Sequence, residues 1–218
     1  ETQRPCCEMK KLVRAKSLSE QVADAVGADI ANGTLQLGQM ISETMISENL
    51  GVSRTPVREA FTRLEYKGLL ITKPRSGTYV FEADEKNRSE LFDVSAGLEL
   101  QGLRLSSQVQ QSEYCEEIIH VSDKMNATFQ KDEASYHSLN ADFHKIFVEY
   151  SGNNLMLEIY DTVQHKIRAL SAAGFFREMV SESCHTAHMM IAHCVQKEET
   201  GEAFELLSKH MNPFQNNA

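Results

Sequence analysis

The sequence predicts a mainly α-helical fold in two parts: three helices with a β-hairpin, followed by an all-α antiparallel helical bundle. Helical periodicity with clear start and stop residues occurs three times before residue 69, and two short β-rich segments come directly afterwards. Beyond residue 90 there is almost no strand signal, and proline is absent until Pro213. We therefore expect one domain in residues 1–81 and a second in residues 82–218.

The first helix is predicted to start at a capping box, in which Ser17 and Glu20 satisfy free amides of the first turn. It is expected to end at Asn32 and Gly33. Apolar residues recur at fourfold spacing along one predicted face, and these are Leu18, Val22, Val26 and Ile30. The following segment, TLQLGQMI, is expected to be a short loop or an extended piece.

Two further helices follow in the first part. The second is predicted from Glu43 to Leu50, because Gly51 is suited to the left-handed conformation that ends many helices. Ser53 is expected to cap the third helix, which runs through Glu65 to Gly68. Pro56 is compatible with this helix because amides of the first turn have no partner within the helix.

A hairpin with a basic tip is predicted after the third helix. Residues 69–72 and 78–81 are rich in β-forming residues, and the connecting KPRSG contains the proline and glycine that favour a tight turn. Three helices followed by such a hairpin form a winged helix-turn-helix.

The composition predicts a globular protein that stays in the cytoplasm. A chain of 218 residues with 41% hydrophobic content can bury a core, and no run of eighteen apolar residues suggests a membrane span. The N-terminal ETQRPCCEMKK lacks the apolar stretch of a secretory signal. The five cysteines are scattered without a CxxC motif, so we expect reduced thiols.

The charge is divided unevenly between the two parts. The net charge of -9 consists of +2 in residues 1–80 and -11 in residues 81–218. Because the phosphate backbone of DNA attracts cations and repels carboxylates, only the first part is suited to nucleic acid.

The third helix carries a polar face that suits DNA. Its apolar face is expected to be core and consists of Val57, Ala60, Phe61 and Leu64; its polar face consists of Arg54, Thr55, Arg58 and Thr62. Two arginines one turn apart repel each other, and an external anion would relieve that cost. Arginine can bind guanine bidentately or contact phosphate. Spacing alone leaves open the alternative that these charges are merely solvated.

The segment ENLGVSRTPVREAFTRLEYKGLLITKPRSGTYV resembles the DNA-binding domain of the GntR family of bacterial regulators, including its LGVSRTPVREAL and RLExxGL elements. The resemblance covers roughly residues 17–81. It implies a homodimer that binds a palindromic double-stranded DNA operator. It also implies that the third helix contacts bases and phosphates through Ser53, Arg54, Thr55 and Arg58. The hairpin is implied to enter the minor groove with Arg75 and Gly77.

The histidines of the second part offer several metal sites by spacing alone. The chain has eight histidines, and a helical histidine is more often a surface or core residue than a ligand. His185 and His188 at i,i+3 fit a local site, and so do Asn140 and His144 at i,i+4. Spacing does not choose between them.

The second part is similar to the all-helical effector domain of the FadR-type subfamily within GntR, the FCD domain. NADFH followed by SGN matches one family element, and two histidines 22 residues apart match another. The resemblance implies a divalent metal ion, zinc or nickel, held by His144, His188 and His210 with Asn140 in the fourth position.

Two positions depart from the subfamily pattern. Asn140 stands where aspartate is usual, so the metal would gain no negative charge there. Ser95 stands where arginine is usual, four residues before Glu99. Arg168 is an alternative residue for binding an effector carboxylate, although an exposed salt bridge is the commoner role of such an arginine.

Together these features predict a sequence-specific transcription regulator, a repressor, whose operator affinity is changed by an organic-acid effector at or near the metal. We expect no enzyme activity. The alternatives are a metal-dependent hydrolase and a nonspecific DNA binder with an inactive sensor domain.

Overall fold

Helices dominate the structure, a computed structural model that describes residues 15–109, 111–175 and 181–211. The first part contains α1 (Leu18–Ala31), β1 (Met40–Ile41), α2 (Glu43–Leu50), α3 (Arg54–Tyr66), β2 (Leu70–Lys73) and β3 (Gly77–Val80). The second contains α4 (Glu85–Val109), α5 (Gln111–Thr128), α6 (Glu133–Glu149), α7 (Asn154–Ala172), α8 (Glu182–Gln196) and α9 (Thr200–His210). The predicted fold class is confirmed.

The predicted helix ends of the first part agree with the structure. The Ser17 hydroxyl accepts from the amide of Glu20, and the Glu20 carboxylate accepts from the amide of Ser17. Gly51 ends α2 at φ 65°. Leu18 was predicted on the same face as Val22, Val26 and Ile30, but it is 49% exposed whereas the other three are buried. Residues spaced by four rotate by about 40° per step on a helix, so Leu18 lies about 120° from Ile30 and off the buried face.

The predicted hairpin belongs to a three-stranded antiparallel sheet. The strand order is β1-β3-β2, with Met40 opposite Tyr79 and Ile71 also opposite Tyr79. The sequence indicated an extended piece before α2 but not a strand. A strand of two residues is too short to produce the alternation of apolar and polar residues by which strands are recognised.

The first part packs on the second through α7. The apolar core formed by α1, α3 and the sheet also includes Ala169 and Leu170 of α7 and Phe92 of α4. The ring of His165 lies beside Gly27 of α1. The DNA-binding part is therefore in direct contact with the helical bundle.

The helices of the second part surround a separate apolar core. Tyr114, Phe143 and Phe147 are buried in it. On α9, Ala203 and Leu207 are buried, whereas Phe204 is 39% exposed because adjacent helix positions differ by about 100°. None of the helices in the described ranges combines the length with the apolar character that a bilayer-spanning segment needs.

Gly102 allows α4 to approach α6 closely. A Cβ atom at this position would lie 2.5 Å from the carbonyl oxygen of Phe147. We expect Gly102→Ala to lower the free energy of unfolding by about 1–3 kcal/mol, because the backbone of α6 must move. Urea denaturation measures this change.

Gly97→Ala is the matched control on the same helix. No atom lies within 4 Å of a Cβ there, so alanine should stabilise the chain by about 0.5–1 kcal/mol. Equal effects of the two substitutions would contradict the close approach of α4 and α6.

Candidate functional site

The third helix presents the predicted DNA-contacting face to solvent. Its apolar face is buried as expected, and it consists of Val57, Ala60, Phe61 and Leu64. Ser53, Arg54, Thr55 and Arg58 are exposed. Ser53 is the N-cap residue by its backbone, but its hydroxyl forms no capping hydrogen bond. α3 therefore presents two hydroxyl groups and two guanidinium groups close to its start.

The repulsion between the two arginines is relieved inside the protein. Nε and Nη2 of Arg58 donate to the two carboxylate oxygens of Glu43, each over 2.9 Å. Glu43 therefore already offsets part of the repulsion that an external anion was expected to relieve. Glu43 was missed because an acidic residue at the start of a helix is already explained by the helix dipole.

Arg75 lies at the tip of the wing. The amide of Ser76 donates to the carbonyl of Lys73 over 3.0 Å, which closes a turn with Pro74 and Arg75 at its centre. Arg75 has φ 63°, a conformation that costs energy for a residue with a side chain. Gly77 has φ 133° and packs against Met40. The wing therefore projects an arginine from a strained turn.

Three of the predicted metal ligands come together between α6, α8 and α9. Nε2 of His144 lies 3.2 Å from Nε2 of His188 and 3.4 Å from Nε2 of His210. A ligand atom of each histidine lies within 4.8 Å of those of the other two. The structure thus brings together three imidazoles that sequence spacing could not relate.

A buried carboxylate orients His144. Nδ1 of His144 lies 2.6 Å from Oε2 of Glu99, so Nδ1 is the donor of this hydrogen bond and Nε2 faces the other two imidazoles. Glu99 is 1% exposed, and it also accepts from the hydroxyls of Ser95 and Tyr160, over 2.8 Å and 3.2 Å. Gln164 in turn donates to Ser95. Two hydroxyl groups therefore hold this carboxylate, and one of them belongs to Ser95, which stands where the subfamily usually has arginine.

The other two imidazoles are held in the neutral form. Burial lowers the pKa of His188 well below its usual value, and nearby imidazoles, His144 first among them, add to this effect. Burial likewise lowers the pKa of His210 to about 3. Nδ1 of His188 is buried without a hydrogen-bond partner in the described part of the chain. Neutral imidazoles are the form that binds metal.

The geometry of the cluster fits a tetrahedral ion. Two nitrogen ligands on zinc at about 2.0–2.1 Å lie about 3.3–3.4 Å apart, close to the separations of the His144 Nε2 atom from those of His188 and His210. The hydrogen bond from His144 to Glu99 is the support that a metal-binding histidine usually has. Asn140 is half-buried on α6, one turn before His144. Three nitrogen ligands leave the remaining position of a tetrahedron for Asn140, water or an effector.

The alternative pair of His185 and His188 is not formed. The ring of His185 stacks on Phe129 and bonds to Tyr136 and Asn126. His185 is therefore a satisfied core residue, and the i,i+3 spacing was misleading.

Acid is expected to destabilise the chain through its buried histidines, and His185 contributes beside His188 and His210. Burial lowers the pKa of His185, so between its folded value and the unfolded value of about 6.5 the unfolded state binds more protons. Stability should fall below about pH 6.5, by at most about 1.4 kcal/mol per pH unit for this group. Urea denaturation with a chelator present measures the slope. His185→Gln should flatten it, and the exposed His120→Gln should not; the same slope in both variants would contradict the assignment.

Arg168 does not have a clear ligand-binding environment. It is exposed, and Nη2 lies 3.9 Å from the carboxylate of Asp142. This contact is an exposed salt bridge, which was the alternative to a role of Arg168 in effector binding.

Glu99, Tyr160 and Gln164 were not predicted as site residues. One signal was available, because Glu99 lies four residues before the buried Leu103 and so shares a helix face with it. A carboxylate on a buried face needs partners. The contacts of Tyr160 and Gln164 with α4 depend on helix packing and have no signal in the sequence.

Comparison with known families gives two matches along the chain. Residues 18–80 match the family described as "Bacterial regulatory proteins, gntR family", and residues 90–213 match the FCD domain. The second match alone covers more than half of the chain.

Similar proteins are named as regulators. The HTH-type transcriptional regulator YdhC of Bacillus subtilis is 29% identical over 193 residues, which are 84% of this chain and 83% of YdhC. A Paenarthrobacter nicotinovorans protein called "Probable D-xylose utilization operon transcriptional repressor" is 29% identical over 206 residues, 94% of this chain and 90% of its own. The solved structure of Escherichia coli McbR/YncC has the same fold, with a TM-score of 0.78 at 19% identity over 93% of this chain and 96% of its own.

Proposed function

Because the chain belongs to the GntR family of bacterial regulators and carries an FCD domain, it is a DNA-binding transcriptional regulator, and we propose that it is a dimeric repressor controlled by a metal-dependent effector site. We place the DNA-binding domain in residues 1–81 and the effector domain in residues 82–218. The exposed polar face of α3 is the observation that carries the DNA-binding part of this proposal.

The DNA interface comprises the start of α3 and the tip of the wing. Arg54 and Arg58 lie one turn apart on the exposed face, where they can reach base edges in the major groove. Ser53 and Thr55 have hydroxyls suited to neighbouring phosphates. Arg75 extends from the tip of the wing, and Gly77 allows the backbone to approach the minor groove.

A homodimer is proposed because a twofold protein matches a palindromic operator. α4 and α7 run antiparallel, with Ser95 bonded to Gln164 and Glu99 to Tyr160. Among the described side chains of these two helices, the exposed large apolar ones are Val94, Leu155 and Ile159. Their burial against a second copy would remove apolar area from water.

The effector site is proposed to contain one divalent ion, zinc or nickel. His144, His188 and His210 supply three nitrogen ligands, Asn140 is the fourth, and a further position stays open for water or an effector carboxylate. When bound, the ion provides a positive charge to which an organic acid can bind. Glu99 holds His144 through its other ring nitrogen, so it is placed to orient a ligand and not to act as a base at the metal. This position gives no support to a metal-dependent hydrolase.

Coupling between the effector site and the DNA interface requires an effector with different affinities for two arrangements of the dimer. α7 is suited to transmit such a change, because Tyr160 contacts Glu99 and Leu170 packs in the core of the DNA-binding part. Arg168 remains a candidate for effector binding.

Selection from a random duplex library tests the proposed function. The unaltered chain should enrich a palindrome and bind it as two chains per duplex. Enrichment of no common sequence would identify a nonspecific binder instead.

A thermal-shift screen of small organic acids, with zinc, with nickel and with a chelator, then tests the effector site, because a specific ligand stabilises the folded state. If an organic acid stabilises the chain equally with metal and with chelator, the effector site does not depend on metal and the proposal is contradicted.

A further inference from the structure

An ion pair joins α2 to the exposed face of α3. The guanidinium of Arg58 donates from Nε to one oxygen of Glu43 and from Nη2 to the other, each over 2.9 Å. Glu43 is the first residue of α2, where the helix dipole favours a negative charge. The hydrogen bonds from Arg58 lower the pKa of Glu43, and the positive charge of Arg54 contributes. The carboxylate therefore lies within the field of both arginines.

This contact leaves one edge of the guanidinium available. An arginine has five N–H donors in a planar fork. Glu43 occupies the edge formed by Nε and Nη2, so Nη1 and the second hydrogen of Nη2 remain. These two groups form the fork that matches O6 and N7 of guanine.

The ion pair between Glu43 and Arg58 also disfavours a contact between Arg58 and phosphate. Nonspecific DNA binding depends on attraction between cations and the phosphate backbone. The carboxylate of Glu43 reduces the net charge beside Arg58 and repels phosphate oxygens, whereas an arginine without this partner can turn toward any phosphate within reach.

We propose that Glu43 is a positioning residue for DNA specificity, which directs Arg58 toward a base edge and away from the phosphate backbone. This inference rests on the proposed contact between Arg58 and the operator. Glu43 acts through Arg58 and does not itself need to touch DNA.

The test measures affinity for two duplexes over a range of salt concentrations, using the full chain. One duplex is the palindrome selected by the unaltered chain, and the other is its scrambled version. Glu43→Gln should lower the ratio of the two affinities about tenfold, mainly by tighter binding to the scrambled duplex. Glu43→Asp keeps the charge but shortens the side chain, so it should also lower the ratio.

Glu48→Gln is the matched control. It removes the same charge from the same helix at an exposed position, and Glu48 forms none of the ion pairs found in the described part of the chain. This variant should keep the ratio. Adding Glu43→Gln to Arg58→Ala should cause no further decrease in specificity, because the residue that Glu43 orients is already absent.

The outcomes separate this inference from the proposed function. If Arg58→Ala changes binding to neither duplex, the proposed operator contact itself is wrong. If Arg58→Ala weakens binding to the palindrome but Glu43→Gln leaves the ratio unchanged, only the positioning role is overturned. Thermal unfolding of each variant, monitored by circular dichroism, shows whether the fold is retained.

Discussion

His188→Ala is expected to abolish stoichiometric binding of zinc or nickel, with an affinity at least about 100-fold below that of the unaltered chain. His188 is 1% exposed, and its Nε2 lies 3.2 Å from that of His144. Removing it leaves two imidazoles, too few to hold the ion without new ligands. His144→Ala and His210→Ala should have the same effect. Metal analysis of dialysed protein and calorimetric titration measure the change.

Two variants sharpen this prediction. His193→Ala removes an exposed histidine from the same helix and should leave metal content unchanged. Asn140→Asp should tighten binding, because a carboxylate adds the negative charge that the amide lacks. Unchanged metal content in all three alanine variants of the cluster would end the metal assignment, and equal or weaker binding by Asn140→Asp would count against the fourth ligand.

Arg54→Ala and Arg58→Ala are each expected to weaken operator binding by about 1–3 kcal/mol, which is about 5- to 150-fold. Both side chains are exposed on α3, and each can form bidentate contacts with a base or contact phosphate. The salt dependence should also become shallower, by about one unit in the slope for each phosphate that the variant no longer neutralises. Fluorescence anisotropy with the selected palindrome measures both quantities.

Arg63→Ala is the matched control for these variants. Arg63 lies on the same helix but pairs with Glu20 of α1 over 3.5 Å, which directs its guanidinium toward α1. Its removal should change operator affinity by less than either of the other two substitutions. If Arg54 and Arg58 can both be replaced with no decrease in binding while the fold is retained, α3 is not the recognition helix of this chain.

The local structure of the first part could be predicted closely from the sequence. Ser17 and Gly51 act within a few residues of their own positions, so their patterns determine where α1 begins and α2 ends. β1 could not be predicted, because its two residues are ordered by pairing with β3, far along the chain. Strict fourfold spacing also misplaced Leu18.

The candidate sites could be predicted only in part. The exposed arginines followed from helical periodicity, whereas the grouping of His144 with His188 and His210 came from a family resemblance. Glu99 and Glu43 were missed because each acts on a residue of another helix, 45 and 15 positions away. Contacts of this kind depend on how helices pack, which local patterns do not specify.

The ratio of affinities for the selected palindrome and its scrambled version, measured with the unaltered chain at moderate ionic strength, tests the regulator assignment most directly. We expect the palindrome to bind at least about 1,000-fold more tightly. Equal affinity for the two duplexes would contradict sequence-specific recognition by α3 and the wing.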